Sequence, residues 1–308
     1  MTTDLDFSGV VSLPARPRAG HKGTFGTVAI IGGSSHAPPT MVGAPALCAT
    51  AALRAGCGLC RIIAPHPILP AILTICPSAT GVALPVDLSG ALDRGHATEI
   101  MERALVGCDA VAIGPGLGVS EESAQLVVRI IQRDDTATVI DADALNAMAQ
   151  IPDLFRDFRA PSVLTPHPGE FARLAAAFKV GFSPTDPDER PQAAAALARR
   201  LGCVVVLKGA GTCVSDGHRT WVCDHGHPCL ATAGTGDVLT GLLASLLAQH
   251  IAGGGSHSGL YEIARVAVEA HARAGEAWAQ REQASAGLLA SELCDLLPSV
   301  LEPMRAHG

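Results

Sequence analysis

Aromatic side chains are nearly missing from this chain: two tryptophans, one tyrosine and seven phenylalanines make up 3% of its 308 residues. That leaves no platform on which successive bases could stack, which argues against single-stranded nucleic acid as a partner. Clustered positive charge is missing too, since the net charge is −7 and no long basic run occurs. A duplex-binding surface is therefore not expected. Nor is there an apolar run of the roughly 20 residues that a membrane span needs. Val28 to Leu53 is interrupted by Gly32, Gly33, Pro38, Pro39 and Pro45, and the run from Val238 gives way to Gln249, His250 and a triple glycine. No N-terminal segment has the basic, apolar and small-residue layout of an export signal, so a cytoplasmic protein is expected.

Ten cysteines without such a signal point to reduced thiols. Cys57-Gly58-Leu59-Cys60 has redox or half-zinc spacing, but no second pair matches it, and the pair reads as small buried hydrophobes. Cys223-Asp224-His225-Gly226-His227-Pro228-Cys229 carries ligand types that zinc prefers. Ligands at every second position share a direction only on a strand, whereas Gly226 and Pro228 indicate a loop, so no metal is expected there.

What is present is a 48% hydrophobic chain with 33 glycines, enough for one large α/β domain. Residues 1–20 read as a polar tail and 21–308 as the domain. Thr27-Val28-Ala29-Ile30-Ile31 is a strand feeding Gly32-Gly33, and a charge-poor helix follows from about Gly43 to Gly56. Such a helix is packed on several sides, either within one subunit or in a homo-oligomer, and self-association is expected. Further strands lie at Leu59 to Ile63, Gly81 to Val86, Asp109 to Ile113, Ala137 to Ile140, Ser162 to Thr165 and Cys203 to Leu207. Helices are expected near 121–132, 192–201, 238–250, 261–280 and 286–297. Asp216-Gly217 between Val214-Ser215 and Thr220-Val222 predicts a hairpin with a primed turn. Strands alternating with helices imply a single doubly wound, mainly parallel sheet with helices on both faces.

The glycine-rich turns follow strands and so gather on one sheet edge. Gly114-Pro115-Gly116-Leu117-Gly118 is not a dinucleotide fingerprint, because its third glycine is wrongly spaced, and packing explains it as well as a ligand does. Asp141 and Asp143 end a strand, where they either contact metal or ribose or cap the next helix. Pro166-His167-Pro168-Gly169-Glu170 is a rigid turn presenting His167, with Glu170 either presented alongside or an early-turn helix acid. Lys208-Gly209-Ala210-Gly211-Thr212 suits phosphate contact without the Walker spacing. The chain is organised around Ala233-Gly234-Thr235-Gly236-Asp237, a small-residue loop entering an apolar helix. Its free amides suit a phosphate, and a carboxylate beside a phosphate suggests work on a proton or a metal; the alternative is a helix charge favoured by the dipole.

These pieces, with His21-Lys22-Gly23-Thr24-Phe25-Gly26, Gly43-Ala44 and Asp141-Ala142-Asp143-Ala144-Leu145-Asn146, occur in the order of a known family. From about residue 20 to 298 the chain resembles the ADP/ATP-dependent NAD(P)H-hydrate dehydratases, the carbohydrate-kinase-like domain of the ribokinase-like superfamily. The resemblance implies ADP-dependent dehydration of NADHX or NADPHX to NADH or NADPH, with release of AMP and phosphate. It implies Asp237 as the catalytic base, and Ala44, Gly116, His167 and Asp237 as contacts to the hydrated dinucleotide. It also implies Lys208, Gly209, Ala210, Gly211, Thr212 and Gly236 as contacts to the nucleotide, with Mg2+ accompanying ADP or ATP. Departures occur at Asp224-His225-Gly226-His227-Pro228, on the nucleotide side, and at Pro38-Pro39-Thr40, on the substrate side. The length suggests a member without the epimerase domain fused in some relatives. The competing readings are a superfamily kinase for a vitamin-precursor alcohol, using the same Asp237, and a nucleotide sensor without turnover, for which the carboxylate would be lost.

Overall fold

Short β-branched runs separated by glycine turns and helices leave the chain one way to cover its strands, with helices on both faces. The computed structural model describes residues 12–36, 40–151 and 153–306. Among them, β1 (Thr27–Ile31), β2 (Leu59–Pro65), β3 (Thr80–Leu84), β4 (Ala110–Ile113), β5 (Ala137–Ile140), β6 (Ser162–Leu164), β7 (Val204–Leu207), β8 (Cys213–Ser215) and β9 (Thr220–Val222) form one sheet. Its order is β3-β2-β1-β4-β5-β6-β7-β8-β9, parallel from β3 to β7 and closed by an antiparallel pair of strands. The doubly wound, mainly parallel sheet expected from the sequence is present, with β5 in the middle.

The intervening helices are α1 (Gly43–Ala55), α2 (Leu69–Ile75), α3 (Arg94–Leu105), α4 (Glu121–Ile131), α5 (Ala142–Met148), α6 (Pro168–Phe178), α7 (Arg190–Leu201), α8 (Thr235–Ala252), α9 (Leu260–Glu282) and α10 (Ala290–Leu301). Alternation along each strand splits the core in two. Val28 and Ile30 of β1 pack with α1, α8, α9 and α10, while Ala29 and Ile31 pack with α3 to α7. Helix α8 is apolar nearly all round because it lies between the sheet, α1, α9 and α10. Helix α1 buries Ala46, Cys48, Ala49, Ala51 and Ala52 within the same chain, which by itself accounts for its lack of charge.

Three boundaries differ from expectation. The last long helix starts at Ala290 rather than Ala286, because Gly287 takes a φ of 99° that interrupts a helix. The β8–β9 turn is centred on Gly217-His218 rather than on Asp216-Gly217: the Asp216 amide donates to the Arg219 carbonyl at 3.2 Å, Gly217 takes a φ of 89°, and Asp216 Oδ1 accepts from the amides of His218 and Arg219. Within the expected tail, Leu13 is buried, and its amide donates to the Met304 carbonyl at 2.8 Å, so this end docks beside the C-terminus of α10. Residues 1–11 of that tail and the Pro38-Pro39 departure lie outside the described residues. No described helix is long and apolar enough to cross a membrane.

Candidate active site

The site is built on the carboxyl edge of the parallel strands and is entered by the N-terminus of α8. Gly234, the residue before that helix, has a φ of 91° and offers no capping side chain. With no cap, the amides of Gly234, Gly236 and Asp237 find no acceptor among the described residues, and three N–H groups at the positive end of an 18-residue helix are left for an anion. The loop leading into them is fixed from below. Thr235 Oγ1 donates to the carbonyls of Leu230 and Thr232, and His271 of α9 donates Nε2–H to the Thr235 carbonyl at 2.9 Å. Burial pushes His271 down to about 4, so its ring is neutral at physiological pH and acts as a fixed donor.

Asp237 stands in the first turn of α8, half-buried and without a hydrogen-bond partner among the described residues. Burial raises its pKa to about 7; the charges of Asp141, Asp143 and Glu170 push the same way, and the Lys208 ammonium pushes against them. A carboxylate poised near neutrality, exposed on one side and committed to no internal bond, is equipped to accept a proton from a ligand.

Lys208 ends β7, its ammonium 2.8 Å from Asp141 Oδ1 and 3.9 Å from Glu170 Oε2. A side chain placed at Gly236 would come within 3.5 Å of the same ammonium, so Lys208 and the α8 amides face one space. The turn after it is shaped by Arg190, a buried guanidinium that donates to the carbonyls of Leu207, Lys208 and Gly211. Gly209 and Ala210 are exposed on this turn, whereas the Thr212 hydroxyl is turned inward to the Gly209 carbonyl.

His167 precedes α6, where its Nδ1 accepts from the Gly169 amide at 3.0 Å and Glu170 Oε2 accepts from the His167 amide at 2.8 Å. Glu170 is thus an early-turn helix acid and also a neighbour of Lys208. Partial burial, together with the charges of Lys208 and Arg173, lowers the His167 pKa below its ordinary value. Half of the ring stays exposed. On the opposite side, Gly116 lies against α1: a Cβ there would be 3.3 Å from the Cβ of Ala44. Helix α1 also reaches the α8 loop, since a side chain at Gly234 would strike Leu47. Asp143 ties the Gly114–Gly118 turn to α5 by accepting from the Gly118 amide at 2.9 Å.

The structure therefore brings Lys208, Gly236 and Asp237 together, sets His167 beside them through Glu170, and pairs Ala44 with Gly116 one turn of α1 away. Sequence reasoning missed Arg190, His271, Thr165 and Thr240, whose polar atoms arrive from distant segments. For Asp141 the two sequence alternatives both give way: its side chain caps nothing, and both carboxylate oxygens are engaged by Lys208, Thr165 and Thr240.

The cysteines of both groupings are free and buried. Cys57 and Cys60 are buried free thiols, and burial pushes Cys57 up to about 12. In the second grouping His227 Nδ1 accepts from the Cys229 amide and the Cys229 thiol donates to the Gly275 carbonyl, so the alternate-position ligand set does not form. Asp224, His225 and Glu269 do converge within 4.8 Å, but Glu269 is already paired with Arg273 at 2.5 Å. A groove between α3 and α4 is lined by Arg94, Glu99, Glu102, Glu121 and Arg129, whose charges pair with one another or with Arg103 and Glu122.

Known proteins resemble the chain over most of its length. The sequence model of the NAD(P)H-hydrate dehydratase family matches residues 28–299. An ADP-dependent (S)-NAD(P)H-hydrate dehydratase of Cenarchaeum symbiosum is 35% identical over 94% of this chain and 93% of its own length. A bifunctional NAD(P)H-hydrate repair enzyme of Moorella thermoacetica is 38% identical over 94% of this chain but only 52% of its own, so the chain spans about half of that relative. Among solved structures, the ADP/ATP-dependent NAD(P)H-hydrate dehydratase of Bacillus subtilis, co-crystallised with ATP and Mg2+, superposes with a TM-score of 0.73 at 30% identity, covering 96% of this chain and 95% of that one. A ribokinase-like superfamily protein of Enterococcus faecalis shares the fold, with a TM-score of 0.73 over 98% of this chain and 99% of that one at 22% identity. On the family match and these identities, the chain belongs to the NAD(P)H-hydrate dehydratase family.

Proposed function

We propose that this protein dehydrates NADHX or NADPHX, the hydrated forms of the reduced nicotinamide cofactors, at the expense of ADP. The observation that carries the reading is Asp237, an unpartnered carboxylate raised to about 7 beside free helix amides. The ADP-dependent relatives support the donor. Asp237 removes the proton from the hydroxyl on the hydrated ring, and the oxygen attacks the terminal phosphorus of ADP. The bond to the bridging oxygen breaks and AMP leaves. The ring nitrogen lone pair then expels the oxygen as inorganic phosphate, leaving an iminium ion, and loss of a proton from the adjacent ring carbon to solvent restores the carbon–carbon double bond. The transferring group needs donors around its moving charge, which the amides of Gly234, Gly236 and Asp237 and the Lys208 ammonium supply. Gly209, Ala210, Gly211 and Thr212 form the turn against which the rest of the nucleotide lies. Ala44, Gly116 and His167 border the space for the dinucleotide.

Magnesium fits this site only as an ion carried by the nucleotide. Both oxygens of Asp141 and Oε2 of Glu170 are engaged by protein groups, and Asp143 Oδ2 is taken by the Gly118 amide, so the described residues here offer no closed oxygen cage. An ion on the phosphates with water completing its shell needs none, and it supplies charge neutralisation there.

The test is direct. Purified protein is incubated with enzymatically prepared NADHX and ADP, and the NADH absorbance band is followed. Recovery that requires ADP is expected. Absence of recovery with ADP and with ATP, together with phosphorylation of a pyrimidine alcohol, would replace this reading with a kinase.

A further inference from the structure

Asp141 has a single exposed percent of its surface and stands at the carboxyl end of β5, the central strand. Three donors from three other segments reach it. Lys208 Nζ at 2.8 Å and Thr165 Oγ1 at 2.7 Å share Oδ1, and Thr240 Oγ1 at 2.7 Å takes Oδ2. Asp141 precedes α5 but caps none of its amides, the usual use of an aspartate at that position. The backbone is held in this unusual course. Ala142 adopts a φ of 50°, which alanine rarely takes, and any side chain at Gly114 would lie 1.8 Å from the Asp141 carbonyl oxygen.

We propose that Asp141 is a positioning residue for phosphoryl transfer: one carboxylate oxygen holds the Lys208 ammonium, and the other, through Thr240, holds the helix that carries Asp237. Thr240 lies one turn beyond Asp237 on α8, so the two arms of a single buried carboxylate fix the distance between the phosphate-binding cation and the base. The inference deepens the dehydratase reading and rests on it. A buried ion pair serving stability alone predicts otherwise, since such pairs can be exchanged for neutral groups without functional loss. The same geometry sets the charge balance at the base. Asp141, Asp143 and Glu170 face Asp237 as negative groups and Lys208 as the positive one. Removing the Asp141 charge leaves Lys208 less opposed, which moves Asp237 towards an ordinary carboxylate.

Each arm has its own experiment. Asp141→Asn is expected to weaken ADP binding about tenfold in calorimetry and to move the acid limb of the kcat/KM profile down by about one pH unit. Thr240→Val is expected to lower kcat at least about tenfold with KM for ADP nearly unchanged, as for a misplaced base, and Thr240→Ser recovers the turnover that valine loses. Asp141→Asn combined with Lys208→Met removes both charges and keeps the core neutral. Its loss of ADP affinity is expected to equal that of Lys208→Met alone, because Asp141 acts through Lys208. Calorimetry needs no turnover, so a failed dehydration assay would sink the activity reading while leaving the lysine arm measurable. The proposal is overturned if Asp141→Asn and Thr240→Val lower thermal stability alone, with ADP affinity, kcat and the pH limb all as in the parent protein.

Discussion

At the scale of single residues the proposed chemistry depends on Asp237 being costly to ionise. Its pKa rises from 3.8 to about 7, so between these values the unfolded chain releases a proton that the folded chain keeps. Folding stability therefore falls as pH climbs through that window, and above it the ionised carboxylate is a standing cost. Asp237→Asn removes that cost. The variant is expected to melt at a higher temperature than the parent at pH 8, with the difference fading towards pH 4, as read by scanning calorimetry. It is also expected to bind ADP but to lose turnover by about 10²- to 10⁴-fold, the contribution of a general base. In the parent, kcat/KM should rise with pH and level off above about 7, since only the deprotonated carboxylate accepts a proton. Normal turnover in the asparagine variant would return Asp237 to the role of a helix charge. Asp237 is legible in the sequence because the uncapped amides it stands beside belong to its chain neighbours. Asp141 is only half legible: its donors lie 24, 67 and 99 residues away, and nothing local marks which of them it meets.

Among the elements, the pairing of α1 with α8 sets where the site sits. The two helices meet at the backbone, and a Cβ on Gly241 would lie 2.0 Å from the Cys48 carbonyl oxygen. Gly241→Ala must therefore push α1 from α8, at a cost of roughly 1–3 kcal/mol for an overpacked contact. Because α8 carries Asp237 and α1 carries Ala44, the same displacement is expected to lower kcat and raise KM for the hydrated dinucleotide together. Urea unfolding and steady-state kinetics on the one variant check both. Unchanged stability would mean that the helices relax apart freely and that this contact does not place the site. The strands and the helices between them are legible at this scale because their hydrophobic period is strong and their ends carry glycine. The start of α10 and the β8–β9 loop are not. Gly287 interrupts a pattern that is otherwise helical, and the turn closes around Gly217-His218, one residue beyond the Asp-Gly dipeptide, with the Asp216 side chain accepting from the His218 and Arg219 amides.

For the whole molecule the strand order divides the two ligands proposed above. The chain runs outward from β1 to β2 and β3, then returns to place β4 on the other side of β1, so the order reverses between β1 and β4. In open parallel sheets such a reversal is where a ligand crevice is expected, and the two loops that leave these strands meet there, the Gly33 amide donating to the Pro115 carbonyl at 2.9 Å. The Lys208–Thr212 turn, proposed to hold the nucleotide, follows β7, three strands further along the sheet. Asp237 reaches the space between because α8 crosses the sheet face against β1, β4 and β5. On the proposed reading the nucleotide and the hydrated dinucleotide are held mainly by separate parts of one edge and meet at the α8 N-terminus. Hydrogen exchange can test this division. ADP alone is expected to slow exchange at residues 208–212 and 233–237 and to leave residues 32–36 and 114–118 unchanged. NADPH alone, the product of the proposed reaction, is expected to slow the second set. Protection of both sets by ADP alone would place the nucleotide across the crevice and would remove the separate substrate half on which the order of chemistry at Asp237 depends.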